Sequence, residues 1–276
     1  MEVFQSISAL RVRLKREASI AFVPTMGNLH EGHLDLMRIA KTHAGCVVAS
    51  IFVNRLQFGI GEDFERYPRT FSEDCAKLEG VDMVFAPQES ELYPVPQEVT
   101  VDLPEIADEL CGAHRPGHFR GMATIVLKLF NIVQPDFAVF GKKDYQQLHL
   151  VKKMVAQLDL PIAVIAGETM RESDGLAMSS RNRYLLPEER AEAKRLHLSL
   201  EKIRQAVISG DMDFKSLESA AGAELESRGW RVDYVEIREA ESLSKPAAGE
   251  GKLVVLAAAW MGKTRLIDNV EICIGD

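Results

Sequence analysis

The sequence predicts an α/β protein in which a parallel sheet with crossover helices is followed by a smaller α+β domain. Up to about residue 170, short apolar runs alternate with helical patterns, which is typical of a parallel sheet. After residue 182 the pattern changes to two long charged helices and then three alternating strands. The length of 276 residues and the 46% hydrophobic content suit two moderate domains. We predict a first domain over residues 1–174 and a second over residues 175–276.

The elements of the first domain are predicted from its apolar periodicity. Because parallel sheets bind ligands beyond the carboxyl ends of their strands, we expect chemistry in the loops after residues 23, 53, 140 and 166. Strand patterns cover residues 19–25, 45–54, 81–87, 137–140 and 162–166, and helix patterns cover residues 32–43, 71–80, 122–133 and 145–157.

The second domain is predicted to follow the polar segment 172–186, which has the composition of an interdomain connection. Strands that come after helices, rather than between them, indicate an α+β arrangement. Helix patterns cover residues 187–210 and 212–229, and strand patterns cover residues 231–239, 252–260 and 264–274.

Charge and composition exclude several classes of partner. Acidic residues outnumber basic ones, 41 to 33, so no basic surface for nucleic acid is predicted. Four dispersed cysteines without a CxxC pair suit a reducing compartment better than a disulfide framework or a metal cluster. The N-terminus has no apolar run of signal-peptide length, and the longest later run, 253–261, is too short to cross a bilayer. We therefore expect a cytoplasmic protein without a nucleic-acid or membrane partner.

The segment PTMGNLHEGHLDLM, residues 24–37, carries the most specific pattern in the chain. His30 and His33 are three residues apart, so they share one face of the helix that starts there, and a helix N-terminus favours anions. Two imidazoles and free backbone amides can hold a triphosphate and stabilise charge at its α-phosphorus. Gly27 allows a ligand to approach the backbone. Half of a zinc site is the alternative, which no cysteine or third histidine within this segment supports.

A second polar cluster, FGKKDYQQ, follows the strand predicted at 137–140. Lys142 or Lys143 can reach phosphates, and Asp144 can accept a hydrogen bond from a ribose hydroxyl or cap the next helix. Gln146 or Gln147 can bond a small polar substrate. An ordinary capped helix is the alternative, but two strand ends of one sheet with groups suited to phosphate favour a shared site.

Two further segments supply polar side chains. In GLAMSSRNRYL, two serines and Arg181 offer hydroxyls and a bidentate fork to a phosphate, and Gly175 allows the loop to close over it. In SIFVNRLQFG, Asn54 and Gln57 are neutral amides that can orient a carboxylate or hydroxyl. The irregular stretch that follows, up to Tyr67, suits a pocket rim. A polar loop and a simple turn are the respective alternatives.

Six segments occur in one order, and their combination is highly specific although HxGH alone is not. They are VPTMGNLHEGH (23–33), SIFVNRLQFG (50–59), YPRT (67–70), HRPGHFRGM (114–122), FGKKDYQQL (140–148) and MSSRNRYL (178–185). This ordered set resembles the pantoate–β-alanine ligase family, the pantothenate synthetases, within the HxGH nucleotidylyltransferase superfamily.

The resemblance implies a Rossmann-like ATP-binding domain, a smaller mobile C-terminal lid domain and a homodimer. It also implies a reaction in two steps. Pantoate and MgATP form pantoyl-adenylate with loss of pyrophosphate, and β-alanine then attacks the carbonyl to release AMP and pantothenate, a precursor in coenzyme A biosynthesis. Such a ligase needs no nucleophilic serine or cysteine and relies on positioning and electrostatics. ATP is thus expected as a substrate, with Mg²⁺.

Site roles follow from the resemblance by position. His33 looks like the assigned acid or base, and His30 and Lys143 like further catalytic phosphate contacts. Gln57 and Gln147 look like pantoate contacts, Gln57 also facing β-alanine, with Asn54 beside them, and Asp74 looks like a residue that helps to place magnesium. The ATP-binding set implied is Met26, Gly27, Asn28, Leu29, His30, Glu31, Gly32, His33, Gly141, Lys142, Lys143, Asp144, Met170, Met178, Ser179, Ser180 and Arg181.

Two positions depart from the family pattern. Lys142 stands where glutamate or glutamine is more frequent, and Arg55 stands where proline is commoner.

Two rival functions remain open: a related nucleotidylyltransferase whose product keeps the nucleotide, and a nucleotide-responsive binding protein without turnover. A class I aminoacyl-tRNA synthetase fits less well, because the chain is acidic and has no further domain large enough for tRNA.

Overall fold

Two separate sheets organise the protein in the computed structural model, which describes residues 1–247 and 249–274. The first sheet has six parallel strands in the order β1-β4-β3-β2-β5-β6. Its strands are β1 (Glu2–Phe4), β2 (Ile20–Thr25), β3 (Cys46–Ile51), β4 (Met83–Phe85), β5 (Phe137–Gly141) and β6 (Ala163–Gly167). The connecting helices are α1 (Ile7–Leu14), α2 (Glu31–His43), α3 (Phe71–Lys77), α4 (Glu89–Leu92), α5 (Cys111–His114), α6 (His118–Val133) and α7 (Tyr145–Gln157).

The second sheet has three antiparallel strands in the order β7-β8-β9 and is preceded by three helices. These elements are α8 (Pro187–Ala193), α9 (Arg195–Ile208), α10 (Phe214–Glu226), β7 (Arg231–Glu239), β8 (Lys252–Met261) and β9 (Thr264–Cys273). The predicted α/β class with a smaller α+β part is therefore confirmed, while the boundary between residues 174 and 175 stays a prediction.

Apolar side chains project from both faces of the parallel sheet. Phe22 of β2 belongs to the core that packs against α1, α6 and α7, whereas its neighbour Val23 belongs to the core under α2. Because successive side chains of a strand point to opposite faces, a strand covered on both sides must be apolar at every position. This explains why the strands appear in the sequence as continuous apolar runs. A further core fills the space between α9, α10 and the antiparallel sheet.

The predicted elements are confirmed, with corrections at some boundaries. The strand β1 and helix α1 were not predicted, because a three-residue edge strand and an eight-residue helix leave little periodicity to detect. The helix predicted over 187–210 is interrupted at Lys194, which separates α8 from α9. Helix α6 begins at His118 instead of residue 122, directly after Gly117, whose φ is 78°.

The early start of α6 brings the helix against the turn after β3. A Cβ atom at Gly121 would lie 2.0 Å from the carbonyl oxygen of Leu56, so only glycine permits this close approach. The contact fixes the position of Asn54 and Gln57 beside α6.

The order of the strands determines where a ligand can bind. The chain leaves β2 for β3 on one side, while β5 pairs with β2 on the other side. A crevice opens beyond the carboxyl ends of the strands at such a reversal of strand order. The turns after β2 and β5, which carry the histidines and Lys143, flank that crevice. Within the described residues, no helix has the length and apolar character needed to cross a bilayer.

Candidate active site

The turn that follows β2 (residues 26–33, here the histidine turn) is held by buried hydrogen bonds from α3. Asp74 is fully buried, and its two carboxylate oxygens accept hydrogen bonds from the backbone N–H groups of Asn28 (2.9 Å) and Leu29 (2.7 Å). Lys77, one turn further along α3, donates to the Leu29 carbonyl at 2.8 Å. A carboxylate that accepts backbone N–H groups makes strong, charge-assisted hydrogen bonds. Two side chains of α3 therefore hold the backbone of the histidine turn.

Gly27 contributes to this anchoring, and its predicted role in the approach of a ligand stays a prediction. Its φ of 79° lies in the left-handed region, and a Cβ atom there would lie 3.0 Å from Asp74 Oδ2 and from a methyl group of Ile51. A side chain at this position would therefore push the Asp74 carboxylate away from the turn.

His30 and His33 face each other, with ring centroids 4.0 Å apart. His33 Nδ1 accepts a hydrogen bond from the His30 backbone N–H at 3.3 Å, so the proton of neutral His33 sits on Nε2. Burial, aided by the positive charges of Lys143 and Lys77, lowers the pKa of His33 to about 4. Burial and the neighbouring His33 lower the pKa of His30 to about 3. Both rings are thus neutral at pH 7, and His33 presents an Nε2–H donor.

The turn that follows β5 (residues 141–144, here the lysine turn) separates its two lysines. The Lys143 side chain lines the same cavity as both histidines. Lys142 points the other way, and its ammonium group pairs with Glu168 and Glu271, each at 2.7 Å. Two carboxylates thus hold the Lys142 side chain away from this cavity, and its contact with ATP stays a prediction.

The two glutamines that follow the lysine turn are separated in the same manner. Gln146 is buried and donates to the carbonyls of Ile106 (2.7 Å) and Glu109 (2.9 Å), which gives it a structural role. Gln147 lines the cavity instead. Of the two candidates that the sequence offered, Gln147 lines this cavity and Gln146 does not.

A hairpin after β6 brings the third predicted cluster to the cavity. The backbone of Met178 donates to the Met170 carbonyl at 2.9 Å, and Arg171 bridges to Ala177. The Ser180 hydroxyl donates to the carbonyl of Asn28 at 3.3 Å, which joins this segment to the histidine turn.

The Arg181 guanidinium forms a two-pronged ion pair with Asp63, at 3.0 and 2.9 Å. Asp63 belongs to the irregular stretch after Gln57, so the pair links the hairpin segment to the rim of the cavity. An arginine fork of this kind suits a phosphate as well as a carboxylate, and Arg181 is therefore available to an anion that displaces Asp63.

Two neutral amides lie beneath the histidines. Asn54 is buried, and its amide nitrogen donates to Gln57 Oε1 and to the Gly121 carbonyl, both at 3.1 Å, while its oxygen accepts from the Tyr93 hydroxyl at 2.8 Å. Through these contacts, Asn54 orients the side chain of Gln57. The predicted direct contact of Asn54 with substrate does not fit them. Gln57 Nε2 has only the weak acceptor Met26 Sδ at 3.2 Å, so it remains available to a substrate.

The histidines, Lys143, Asn54, Gln57, Gln147 and Arg181 surround one cavity of about 220 Å³ at the carboxyl ends of β2 and β5. Its floor is apolar, and its walls carry the amides, Lys143 and the histidines. The predicted site residues that line it are Met26, His30, Gly32, His33, Asn54, Gln57, Gly141, Lys143, Asp144, Gln147, Met170, Met178, Ser179, Ser180 and Arg181.

A family model described as pantoate-beta-alanine ligase matches residues 2–271 of the chain. The chain belongs to this family. The pantothenate synthetase of Nitrosomonas europaea is 59% identical over 271 residues, which cover 98% of this chain and 98% of that protein. The pantothenate synthetase of Chromobacterium violaceum is 58% identical over 275 residues, with 99% of each chain covered.

Solved structures of the family share the fold. Pantothenate synthetase from Thermus thermophilus has a TM-score of 0.91 and 43% identity, with 98% of this chain and 99% of that chain covered. The ligase from Francisella tularensis, whose structure is a complex with "Beta-gamma ATP and Beta-alanine", has a TM-score of 0.83 and 33% identity, with 98% and 97% covered. The predicted resemblance to this family is confirmed.

Several predicted ATP contacts lie outside the cavity. Leu29 is 2% exposed and packs in the core under α2, and Glu31 pairs with Arg38 on the surface. Asn28 accepts a hydrogen bond from Arg183 at 2.7 Å, and Gly27 packs on Asp74. These residues shape the histidine turn and do not line this cavity, so their contact with ATP stays a prediction.

Sequence reasoning missed His118 and Arg115, which also line the cavity. His118 donates from Nδ1 to the Gln57 carbonyl at 2.8 Å and accepts on Nε2 from Arg115 at 2.9 Å. Burial, with the nearby Arg115 charge, lowers the pKa of His118 to about 4. The Arg115 guanidinium in turn donates two hydrogen bonds to the Glu62 carboxylate, at 2.7 and 2.6 Å. The segment HRPGHFRGM was the signal that could have identified them.

Proposed function

We propose that the chain is an ATP-dependent ligase that joins (R)-pantoate to β-alanine through a pantoyl-adenylate, with release of AMP and pyrophosphate. The observation that carries this proposal is the cavity itself. It joins cationic and hydrogen-bond-donating groups suited to a triphosphate to an apolar floor with two free amides. The printed names of the relatives, and the "Beta-gamma ATP" and β-alanine of the Francisella tularensis complex, support the same reaction.

The floor of the cavity suits the pantoate skeleton. Apolar side chains from α6 and β5 can cover its two methyl groups, and Gln57 and Gln147 can bond its hydroxyls or carboxylate without adding charge. The neutral amides matter because a fixed positive charge at the carboxylate would weaken it as a nucleophile. The apolar lining residues are Phe52, Met122, Ile125, Val126, Leu129, Val139 and Phe140.

In the first step, a pantoate carboxylate oxygen attacks the α-phosphorus of ATP. A new P–O bond forms, the bond to the β-phosphate oxygen breaks, and pyrophosphate leaves with the electron pair. No proton has to move in this step, because the nucleophile and the leaving group are both anions. The task of the site is to stabilise charge on the phosphoryl oxygens, which the Nε2–H of His33 and the ammonium of Lys143 can do. We therefore assign His33 an electrostatic role.

In the second step, the free amine of β-alanine attacks the acyl carbon. The N–C bond forms, the C–O bond to AMP breaks, and the amine nitrogen releases a proton to solvent water. A buried imidazole with a pKa of about 4 is a weak base, so His33 does not fit as the acceptor of that proton. Adenylation has already made AMP a good leaving group, and positioning of the amine supplies the remaining acceleration.

Magnesium is proposed to enter with the ATP phosphates. The predicted role of Asp74 does not fit, because this carboxylate is fully buried and bonds the histidine turn. In the described parts of the chain, no three His, Cys, Asp or Glu side chains are grouped to hold a metal ion. Mg²⁺ commonly binds proteins through substrate phosphates with few protein ligands.

The remaining expectations are proposals of the same kind. We propose a homodimer in the cytoplasm and a mobile C-terminal lid, as the family resemblance implies. Size-exclusion chromatography with light scattering tests the dimer directly, and a mass of one chain would contradict it.

The decisive test measures AMP release by the purified protein with MgATP and pantoate, with and without β-alanine. We expect AMP and pantothenate only when both substrates are present, and pyrophosphate exchange with pantoate alone. Transfer of the nucleotide into the final product would favour a related nucleotidylyltransferase. Binding of ATP without either activity would favour a nucleotide-responsive binding protein.

A further inference from the structure

Asn269 of β9 reaches from the second sheet to the lysine turn. Its side-chain nitrogen donates to the carbonyl oxygens of Lys142 and Lys143, both at 2.9 Å, and the residue is only 6% exposed. A primary amide has two N–H groups on one nitrogen, and Asn269 uses both on consecutive carbonyls of the turn that carries Lys143.

The preceding residue, Asp268, reaches the hairpin that carries Met178 and Arg181. Its carboxylate is 4% exposed and accepts two hydrogen bonds from Arg171, at 2.8 and 3.0 Å. Burial by itself would raise the pKa of Asp268, but His197, whose Nδ1 lies 3.4 Å from the carboxylate, and the hydrogen-bonded Arg171 outweigh it and lower that pKa. The same Arg171 also donates to the Asn269 carbonyl at 3.3 Å.

Two neighbouring residues of β9 thus hold two separate segments of the ATP site. The lysine turn depends on Asn269, and the hairpin depends on Asp268. No comparable contact from the second sheet is needed for the histidine turn, which Asp74 and Lys77 hold from α3.

We propose that Asn269 is a positioning residue for Lys143, through which the docked second sheet sets the geometry of adenylation. This proposal rests on the proposed function, because it assigns Lys143 to the ATP phosphates. Asn269 does not line the cavity beside the histidines, and it acts through the backbone of the lysine turn.

The chemistry of the contact explains why asparagine stands at this position. Aspartate has the same shape, but it would place carboxylate oxygens against two carbonyl oxygens, which repel it. Alanine would leave two partly buried carbonyls without donors, and such unmade hydrogen bonds are costly.

The test compares Asn269→Ala with Glu271→Gln. The control residue lies on the same strand and pairs with Lys142, so it removes an interdomain contact without touching the backbone of Lys143. Pantoate-dependent pyrophosphate exchange should fall by about tenfold to a hundredfold in kcat/KM for ATP in Asn269→Ala, the effect of losing two neutral hydrogen bonds. In Glu271→Gln we expect kcat/KM for ATP to fall by less than about threefold, since exposed ion pairs contribute little to stability.

A double-mutant cycle shows whether Asn269 acts through Lys143. In the Lys143→Ala background, Asn269→Ala should have little further effect, because its target side chain is already gone. Full additivity of the two losses would overturn the proposal. Should Asn269→Ala fail to fold, Asn269→Ser supplies the same cycle with a smaller neutral side chain that keeps one donor.

Amide hydrogen exchange provides a readout that does not depend on turnover. The amides of residues 141–147 should exchange faster in Asn269→Ala than in wild type, with no such change in Glu271→Gln. Unchanged exchange there would overturn the proposal. Faster exchange in a protein whose wild type shows no pantoate-dependent pyrophosphate exchange would retain the positioning contact and reject the proposed function.

Discussion

The histidine turn and the lysine turn lie at neighbouring strand ends, but they are held in different ways. The backbone of the histidine turn is bonded by Asp74 and Lys77, which belong to the same α/β unit. The backbone of the lysine turn is bonded by Asn269 of the other sheet. The histidine turn is therefore held chiefly from α3, with a further bond from the Ser180 hydroxyl, whereas the lysine turn depends on how the second sheet is docked.

This difference suggests a division of work. The histidine turn supplies a donor whose position and tautomer are fixed before any ligand arrives. The lysine turn and the hairpin supply cations whose positions depend on β9, so movement of the second sheet would change the charge around the phosphates. Four predictions test this division, from the largest expected effect to the smallest.

His33→Ala removes the fixed donor of the histidine turn. We expect pantoate-dependent pyrophosphate exchange to fall by about two to four orders of magnitude, the range for losing a key stabiliser of transition-state charge. His43→Ala is the matched control, because His43 lies exposed at the other end of α2. Exchange close to the wild-type rate in His33→Ala would remove His33 from the mechanism.

Asp74→Asn weakens the scaffold of the same turn. An amide nitrogen would replace one oxygen opposite a backbone N–H donor, and the Thr70 hydroxyl bond at 3.1 Å would also be disturbed. We expect a loss of about 3 kcal/mol in the free energy of unfolding, measured in urea, together with reduced adenylation. Glu73→Gln, next to it on the exposed side of α3, should change neither. Recovery of activity at high Mg²⁺ would instead indicate a metal-binding role for Asp74.

Lys143→Ala tests the catalytic role of the lysine turn, and Lys142→Ala provides the comparison. Loss of the cation should slow single-turnover adenylation by about a hundredfold, as for removal of one group that stabilises transition-state charge. Lys142→Ala should change the rate by less than about threefold, because its ammonium group faces Glu168 and Glu271. Equal effects of the two substitutions would show that the separation of the lysines has no catalytic meaning.

The ligand-free protein should lose stability as the pH falls below 6.5. The pKa values of His30, His33 and His118 are about 3, 4 and 4 when folded, against an ordinary value of 6.5. The unfolded chain therefore binds protons first, so the stability from keeping these rings neutral is complete above pH 6.5 and declines as the pH falls through the folded pKa values. Between pH 6.5 and 5, each histidine contributes up to about 2 kcal/mol to the loss in the free energy of unfolding.

Urea unfolding at pH 7.5 and pH 5.0 measures this decline, and His118→Asn should reduce it. Asparagine keeps a donor for the Gln57 carbonyl but does not titrate. Stability that stays constant between the two pH values would contradict the buried, neutral state of the histidines.

The sequence predicted the class of fold and the strand ends that carry chemistry, because strands buried on both faces leave unbroken apolar runs and ligand-binding turns follow them. Residue types and spacing could not choose between Lys142 and Lys143, or between Gln146 and Gln147, and only the family resemblance favoured Lys143 and Gln147. Adjacent residues at a turn differ only in direction, and direction depends on contacts with distant segments such as Glu271 and the carbonyl of Ile106.

The sequence by itself determined the parallel sheet, the paired histidines at the end of β2 and the family to which these motifs point. All of these depend on local order along the chain: apolar periodicity, the spacing of His30 and His33, and ordered motifs. Only the tertiary structure decided that Asp74 holds the histidine turn and that Asn269 holds the lysine turn. These bonds join residues 45 and 126 positions apart, and no periodicity in the sequence reports which distant carboxylate or amide folding brings to a turn.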